Sequence, residues 1–153
     1  MATIVVGTNS YGTEAGLATY AADRGVTISG TASELLIQAM DDLELRSYKG
    51  YKWNREQALS QPRTWYDYDN GDEPGEVPDA FIEAQYINAL LIDAGNTLNA
   101  PIERAVKREK VDVIEVEYQE TAAPQTIFPK VNLLLAKYLR SSSGMSFEVR
   151  NGR

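Results

Sequence analysis

The chain contains no cysteine and no histidine. The first absence removes disulfides, thiolate nucleophiles and Cys-based zinc or iron–sulfur sites, and it leaves the redox compartment open. The second removes the commonest general acid–base group and metal ligand near neutral pH, and most catalytic triads and zinc sites with it. No phosphate-cradling glycine loop is present either. An enzyme is therefore not expected, and neither is a cofactor or a metal centre. Long apolar runs are missing as well. The N-terminal MATIVVGTNS is apolar over only a few residues and has no positive region before it. Neither a signal peptide nor a membrane span is expected, and the chain reads as intracellular.

Positive charge is also in short supply. Against 22 acidic residues there are 15 basic ones, a net charge of −7, which argues against a mainly electrostatic grip on nucleic acid unless the cations are segregated. What the chain does have is 153 residues that are 43% hydrophobic and 24% charged, enough for one ordinary core. The reading is a single helical domain over residues 1–140, with a β-element near 104–120. A tail of loop composition, SSSGMSFEVRNGR, follows at 141–153.

Periodicity and punctuation place the elements. Residues 3–6 are β-branched and end at Gly7, Asn9 and Ser10, which predicts a small edge strand and turn. Thr13 is a predicted N-cap for a helix over 14–23, with Leu17, Tyr20 and Ala21 at helical spacing and Gly25 as its stop. Residues 31–46 carry Leu35, Leu36, Met40 and Leu43 on one face, and Thr31 with Glu34 has the spacing of a capping box. The connection that follows is long, so a short helix over 54–59 is predicted inside it. Pro78 and Asp79 then open a third helix that includes Phe81, Ile82, Ala84, Gln85, Ile87, Leu90 and Leu91, is apolar enough to be central, and ends at Gly95 and Asn96. Val111, Val113, Ile114, Val116 and Tyr118 are strand formers, and the adjacent apolar pair Val113 and Ile114 predicts a bulge or a strand covered on both faces. Residues 128–139 form a last amphipathic helix with Val131, Leu134, Leu135 and Tyr138 inward. The expected fold is mainly α (α+β): a compact bundle of about four helices with a small β-hairpin or strand element and an extended C-terminal tail.

Four constellations invite a chemical reading. YDYDNGDEPGE holds Asp67, Asp69, Asp72, Glu73 and Glu76. Counting from Asp67, Asp72 falls where a calcium loop needs glycine and Pro78 where it needs its bidentate Glu, so a solvated acidic loop turning at Asn70 and Gly71 is the reading. Asp41, Asp42 and Glu44 read as a solvated helix face. Arg46, Lys49, Lys52, Arg55 and Arg63 interleave with Tyr48, Tyr51, Trp53 and Trp65. That mixture of cations and stacking faces is what single strands use, and it makes Tyr51, Lys52, Trp53, Arg55 and Trp65 the candidate nucleic-acid contacts. Against it, tyrosine and tryptophan between helices usually plug the ends of a core. Finally, the cations Lys107, Arg108 and Lys110 are nearly neutralised by Glu109, Asp112, Glu115 and Glu117. Alternating charge on an extended segment protects an exposed edge or aligns it with a neighbouring copy.

These segments carry a resemblance. ATIVVGTNSYGTEAGLATYAADRG, YKGYKWNREQALSQPRTW, VPDAFIEAQYINALLI and VKREKVDVIEVEY, in that order, resemble a family of small tailed-bacteriophage proteins labelled DnaT-like single-stranded-DNA-binding, similar chains of which serve as the head-tail connector beneath the portal. The resemblance spans Ala2 to about Arg140 and leaves the tail uncovered. It implies a structural virion protein located in the neck between capsid and tail and assembled in the bacterial host cytoplasm. Its implied partners are further copies in a ring (dodecameric by the resemblance alone), the portal, a downstream tail or nozzle protein, and DNA in transit, with no membrane. In that setting Lys107, Arg108, Lys110, Val111, Val113, Ile114, Val116 and Tyr118 form the assembly interface. Phe147, Val149, Arg150 and Arg153 dock the tail on the portal. An acidic channel would repel passing phosphate. The alternative expectation is a genuine single-strand binder using the aromatic and basic segment.

Overall fold

Thr13 starts the first helix as its side-chain chemistry demands: the hydroxyl accepts the Gly16 N–H at 3.0 Å. Helix α1 runs Glu14–Ala22. It ends where Gly25 takes a φ of 65°, so that Val26 N–H reaches Ala21 C=O and Gly25 N–H reaches Ala22 C=O, the paired bonds that satisfy the last carbonyls of a helix. The same device closes α3, Asp79–Asp93, where Gly95 has a φ of 84° and Asn96 N–H bonds Leu91 C=O. Helix α2 spans Ala32–Glu44 and α4 spans Pro129–Leu135. Between α3 and α4 lie two short strands, β1 (Arg108–Val111) and β2 (Ile114–Glu117). The structure, a computed structural model, describes residues 2–64, 71–98, 108–111, 114–117 and 129–140. Among them the fold is helical with little strand, as the composition and periodicity predict, and no helix is long and apolar enough to cross a membrane.

Helix α3 is the centre of the packing, touching α1, α2 and α4. It feeds two apolar clusters. One joins Phe81 and Ala84 to Tyr11, Met40, Leu43, Tyr48, Leu59, Val131, Leu135 and Tyr138. The other joins Tyr86 and Ala89 to Leu17, Leu35, Leu36 and Ala39. The inward residues predicted on α2 are buried, and each fully buried Leu contributes about 1.5–3 kcal/mol. Phe81 is the hub of the first cluster. It meets the rings of Tyr11, Tyr48 and Tyr138 edge-on, with centroids 5.9, 5.1 and 4.9 Å away. Those three tyrosines belong to the N-terminal loop, the segment after α2 and the segment after α4, so one phenyl ring gathers three stretches of chain without helical structure.

Each of those tyrosines also has its hydroxyl anchored. Tyr11 donates to Glu44 at 2.8 Å and accepts from Gln61 N–H at 3.0 Å. Tyr48 donates to Leu43 C=O and Tyr138 donates to Asp72. Burial and then the Glu44 carboxylate raise the Tyr11 hydroxyl well above its ordinary range, and burial does the same for Tyr48. Gln85, fully buried on α3, supplies a second anchor. Its Oε1 accepts the N–H groups of Tyr11 and Gly12 at 3.0 and 2.9 Å, and its Nε2 donates to Ser10 Oγ and Leu36 C=O.

Several local expectations are corrected. Residues 3–6 form no strand, because the Asn9 side chain takes the Val5 N–H and donates to Thr3 C=O, and the loop then turns back on itself. Thr31 makes no side-chain cap. The entry to α2 is held instead by Asp93, whose carboxylate accepts the N–H groups of Ser29 and Gly30. No helix forms over 54–59. Asn54 Oδ1 takes the Glu56 N–H, and Lys52 takes the carbonyls of Gln57 and Ala58, so side chains satisfy groups a helix would have used. Helix α4 stops at Leu135, short of the predicted 139, and Tyr138 and Leu139 continue as a turn and an isolated bridge. The predicted hairpin or strand element is two antiparallel strands. The register pairs Val111 with Ile114 and Arg108 with Glu117. Lys107, Val113, Tyr118 and Phe128 lie outside the described residues, as does the tail with Phe147, Val149, Arg150 and Arg153.

Candidate nucleic-acid interface

The segment after α2 holds its shape through backbone pairing at two levels. Near the core, Lys49 N–H bonds Tyr138 C=O and Arg140 N–H bonds Ser47 C=O, which ties the segment to the chain leaving α4. Further out it pairs with itself. Lys52 bridges Arg63 antiparallel, Trp53 N–H bonds Pro62 C=O, and Thr64 N–H bonds Tyr51 C=O. The turn at its far end is fastened to α2 by Glu44, whose carboxylate accepts both the N–H and the hydroxyl of Ser60. Gln57 closes it from inside by donating to Leu59 C=O and Pro62 C=O.

On this scaffold the two kinds of aromatic residue separate. Tyr48 is buried and plugs the core, as the opposing reading of these aromatics has it. Tyr51 and Trp53 do the opposite, with 78% and 54% of their surface exposed. The inner side of Trp53 rests against Gly75, which has a φ of 81°. Trp65 lies outside the described residues, so its position relative to this pair is not part of the site.

The cations are placed less favourably for phosphate. The Arg63 guanidinium donates to the carbonyls of Lys49 and Gly50, both at 2.6 Å. Lys49 Nζ donates to Lys137 C=O at 2.7 Å. Arg46 is shared between Asp42 and Asn132 at 2.9 and 2.7 Å. Lys52 reaches Gln57 and Ala58 C=O at 3.2 and 3.4 Å. Arg55 is exposed and makes no hydrogen bond or ion pair among the described residues. Of the sequence-predicted contacts, the structure therefore brings Tyr51, Lys52, Trp53 and Arg55 to one outer segment, with Arg55 as the free charge.

Two of the acidic residues, Asp42 and Asp72, are not where a solvated reading puts them, while Asp67 and Asp69 lie outside the described residues. Asp42 is buried and accepts from Arg46 and from Asn88 Nδ2 at 2.8 Å. Asp72 is buried and accepts from Tyr138 at 2.8 Å and Lys137 at 3.4 Å. Both are structural anchors, and Glu73 and Glu76 remain exposed. A cleft of about 460 Å³ between the approach to α3 and α4 is lined by Asp72, Glu73, Glu76 and Asp79 with one lysine, Lys137. Its charge is wrong for phosphate.

Sequence reasoning missed the parts that hold the segment in place: Glu44, Gln57 and Gly75. Their signal is weak, since a glutamate at a helix end and a glutamine in a turn look like ordinary solvated residues. No curated protein and no solved structure matches the chain. The sequence model of the family described as "Putative DnaT-like ssDNA binding protein" matches residues 2–153, with the tail that the segment resemblance left uncovered inside the match, and the chain belongs to that family.

Proposed function

We propose that the chain binds single-stranded DNA, with Tyr51 and Trp53 as base-facing side chains and Arg55 as the accompanying cation. The observation that carries this reading is the exposure of two aromatic rings, two residues apart, on a hydrogen-bonded ladder in a member of a family described by single-strand binding. Aromatic faces accept every base, which gives affinity for unpaired strands without sequence readout. Fluorescence anisotropy of a labelled oligothymidine tests it. Binding to the single strand and not to the duplex is expected, with a loss of about tenfold for Trp53→Ala and an unchanged helical circular-dichroism signal. Equal affinity for both forms, or a Trp53→Ala variant as tight as the parent, overturns it.

A second reading has its own support: a ring-forming head-to-tail connector that passes DNA without holding it. The net charge of −7 and the engagement of Arg46, Lys49 and Arg63 by the protein's own oxygens favour it. So does the hairpin between α3 and α4. Its sheet has two strands among the described residues, and a two-stranded ribbon is marginal alone and gains from a neighbour's edge. In this reading β1 and β2 meet the adjacent copy, and Phe147, Val149, Arg150 and Arg153 meet the portal. Replacing residues 108–117 with a short Gly-Ser linker is expected to leave the helical circular-dichroism signal intact while abolishing ring formation on portal in sedimentation. A linker variant that still forms rings removes this reading.

A further inference from the structure

We infer that the Tyr51 and Trp53 surface takes two consecutive unpaired bases in a base-first grip that depends weakly on salt, and that Gly75 is a positioning residue setting the tilt of the Trp53 ring. The inference rests on the single-strand reading above and goes beyond it by stating what the site recognises and what it does not.

The spacing comes from the ladder. Residues 51 to 53 pair with 62 to 64 through Trp53 N–H to Pro62 C=O and Thr64 N–H to Tyr51 C=O, and the Tyr51 N–H is taken by Thr64 Oγ1 at 3.1 Å. Alternate residues of an extended segment share a face, roughly 7 Å apart. Tyr51 and Trp53 therefore form a two-ring platform, and successive bases stack on successive rings. Because the backbone under both rings is bonded on the opposite strand, little ordering is left for binding to supply.

The weak salt dependence follows from the cation inventory. Arg63 is held by two carbonyls at 2.6 Å, and Arg46 and Lys49 are held by a carboxylate, an amide oxygen and a carbonyl at 2.7 to 2.9 Å. Any of them would have to break internal bonds to reach a phosphate. Each phosphate neutralised on a single strand contributes about −0.7 to the slope of log affinity against log salt. With Arg55 as the cation of the segment that has no partner among the described residues, a slope of about −1 or shallower is expected.

Gly75 makes the platform testable separately from the charge. A Cβ built on it lies 3.1 Å from Trp53 Cε2 and 3.2 Å from Nε1, a tight contact from which the indole must give by a few tenths of an ångström if the position carries a side chain. Gly71 provides the matched comparison. It has nearly the same left-handed φ, 79° against 81°, and a Cβ there meets nothing within 4 Å. Gly71→Ala imposes the backbone strain alone, and Gly75→Ala imposes the strain together with displacement of the ring.

The experiment is anisotropy of labelled oligothymidine on the full chain from about 50 to about 400 mM sodium chloride, with the parent, Trp53→Ala, Gly71→Ala and Gly75→Ala. The expected result is a slope near −1 in the parent, about a tenfold loss at every salt concentration for Trp53→Ala, and weakening by Gly75→Ala severalfold beyond Gly71→Ala. A slope of about −3 or steeper overturns the base-first grip while leaving single-strand binding standing. Equal affinities of the two glycine variants overturn the role of Gly75. No binding at the lowest salt overturns the single-strand reading and this inference with it.

Discussion

Phe81→Ala is expected to cost about 3–5 kcal/mol, the usual range for emptying a buried phenyl site, and to lower the melting temperature by roughly 10 °C or more. The ring is fully buried and stands at the meeting point of Tyr11, Tyr48 and Tyr138. Those rings cannot simply close the cavity, because each hydroxyl is tied elsewhere, to Glu44, to Leu43 C=O and to Asp72. Collapse toward the void would break a buried hydrogen bond, so the site sits at the unforgiving end of the range. Leu133→Ala is the control. It deletes an apolar side chain on α4 that is 76% exposed, and it is expected to change stability by less than about 0.5 kcal/mol. Chemical denaturation of both variants checks the pair. A Phe81→Ala cost of about 1 kcal/mol, well below the cavity range, would remove this ring as the organiser of the loops.

The second large effect is expected at Gln85. Gln85→Leu keeps most of the volume and removes every polar contact. The N–H groups of Tyr11 and Gly12 lose their acceptor, and Ser10 Oγ and Leu36 C=O lose their donor. Each buried group left unpaired costs about 1–3 kcal/mol. Ser10 Oγ still donates to Gly12 C=O and Leu36 C=O lies inside α2, so the two N–H groups carry the cost, a total of about 3 kcal/mol. The damage should also be local first. Hydrogen exchange at Tyr11 and Gly12 is expected to accelerate by more than the global loss of stability explains, because the N-terminal loop is released from α3 before the helices separate. Protection unchanged at those two amides would show that the loop is held by Tyr11 packing alone.

These two residues show what the sequence exposes and what it hides. Phe81 and Gln85 both stand in the segment that the sequence marks as a central apolar helix. That marking does not tell that one gathers three tyrosines and the other feeds two backbone N–H groups more than 70 residues earlier in the chain. The failed capping box is similar. Thr31 and Glu34 have the right spacing, but the backbone ahead of α2 is claimed by Asp93 from the end of α3, a competitor that no local window contains. The same holds for Asp42 and Asp72, which read as solvated until Asn88, Arg46 and Tyr138 are brought to them.

In the outer segment, the interleaving of aromatics and cations was visible from composition, but its division of labour was not. Tyr48 and Tyr51 are three residues apart and chemically identical; one is buried against Phe81 and the other faces water. The sequence by itself determined α1 and α3, through apolar spacing, the Thr13 cap and the stops at Gly25 and Gly95, because those depend on bonds spanning a single turn. Only the tertiary structure decided which loop groups are spent and which are free. Partners for Gln85, Glu44, Asp93 and Arg63 are backbone groups of distant or irregular segments, and such groups become available only once the helices have packed.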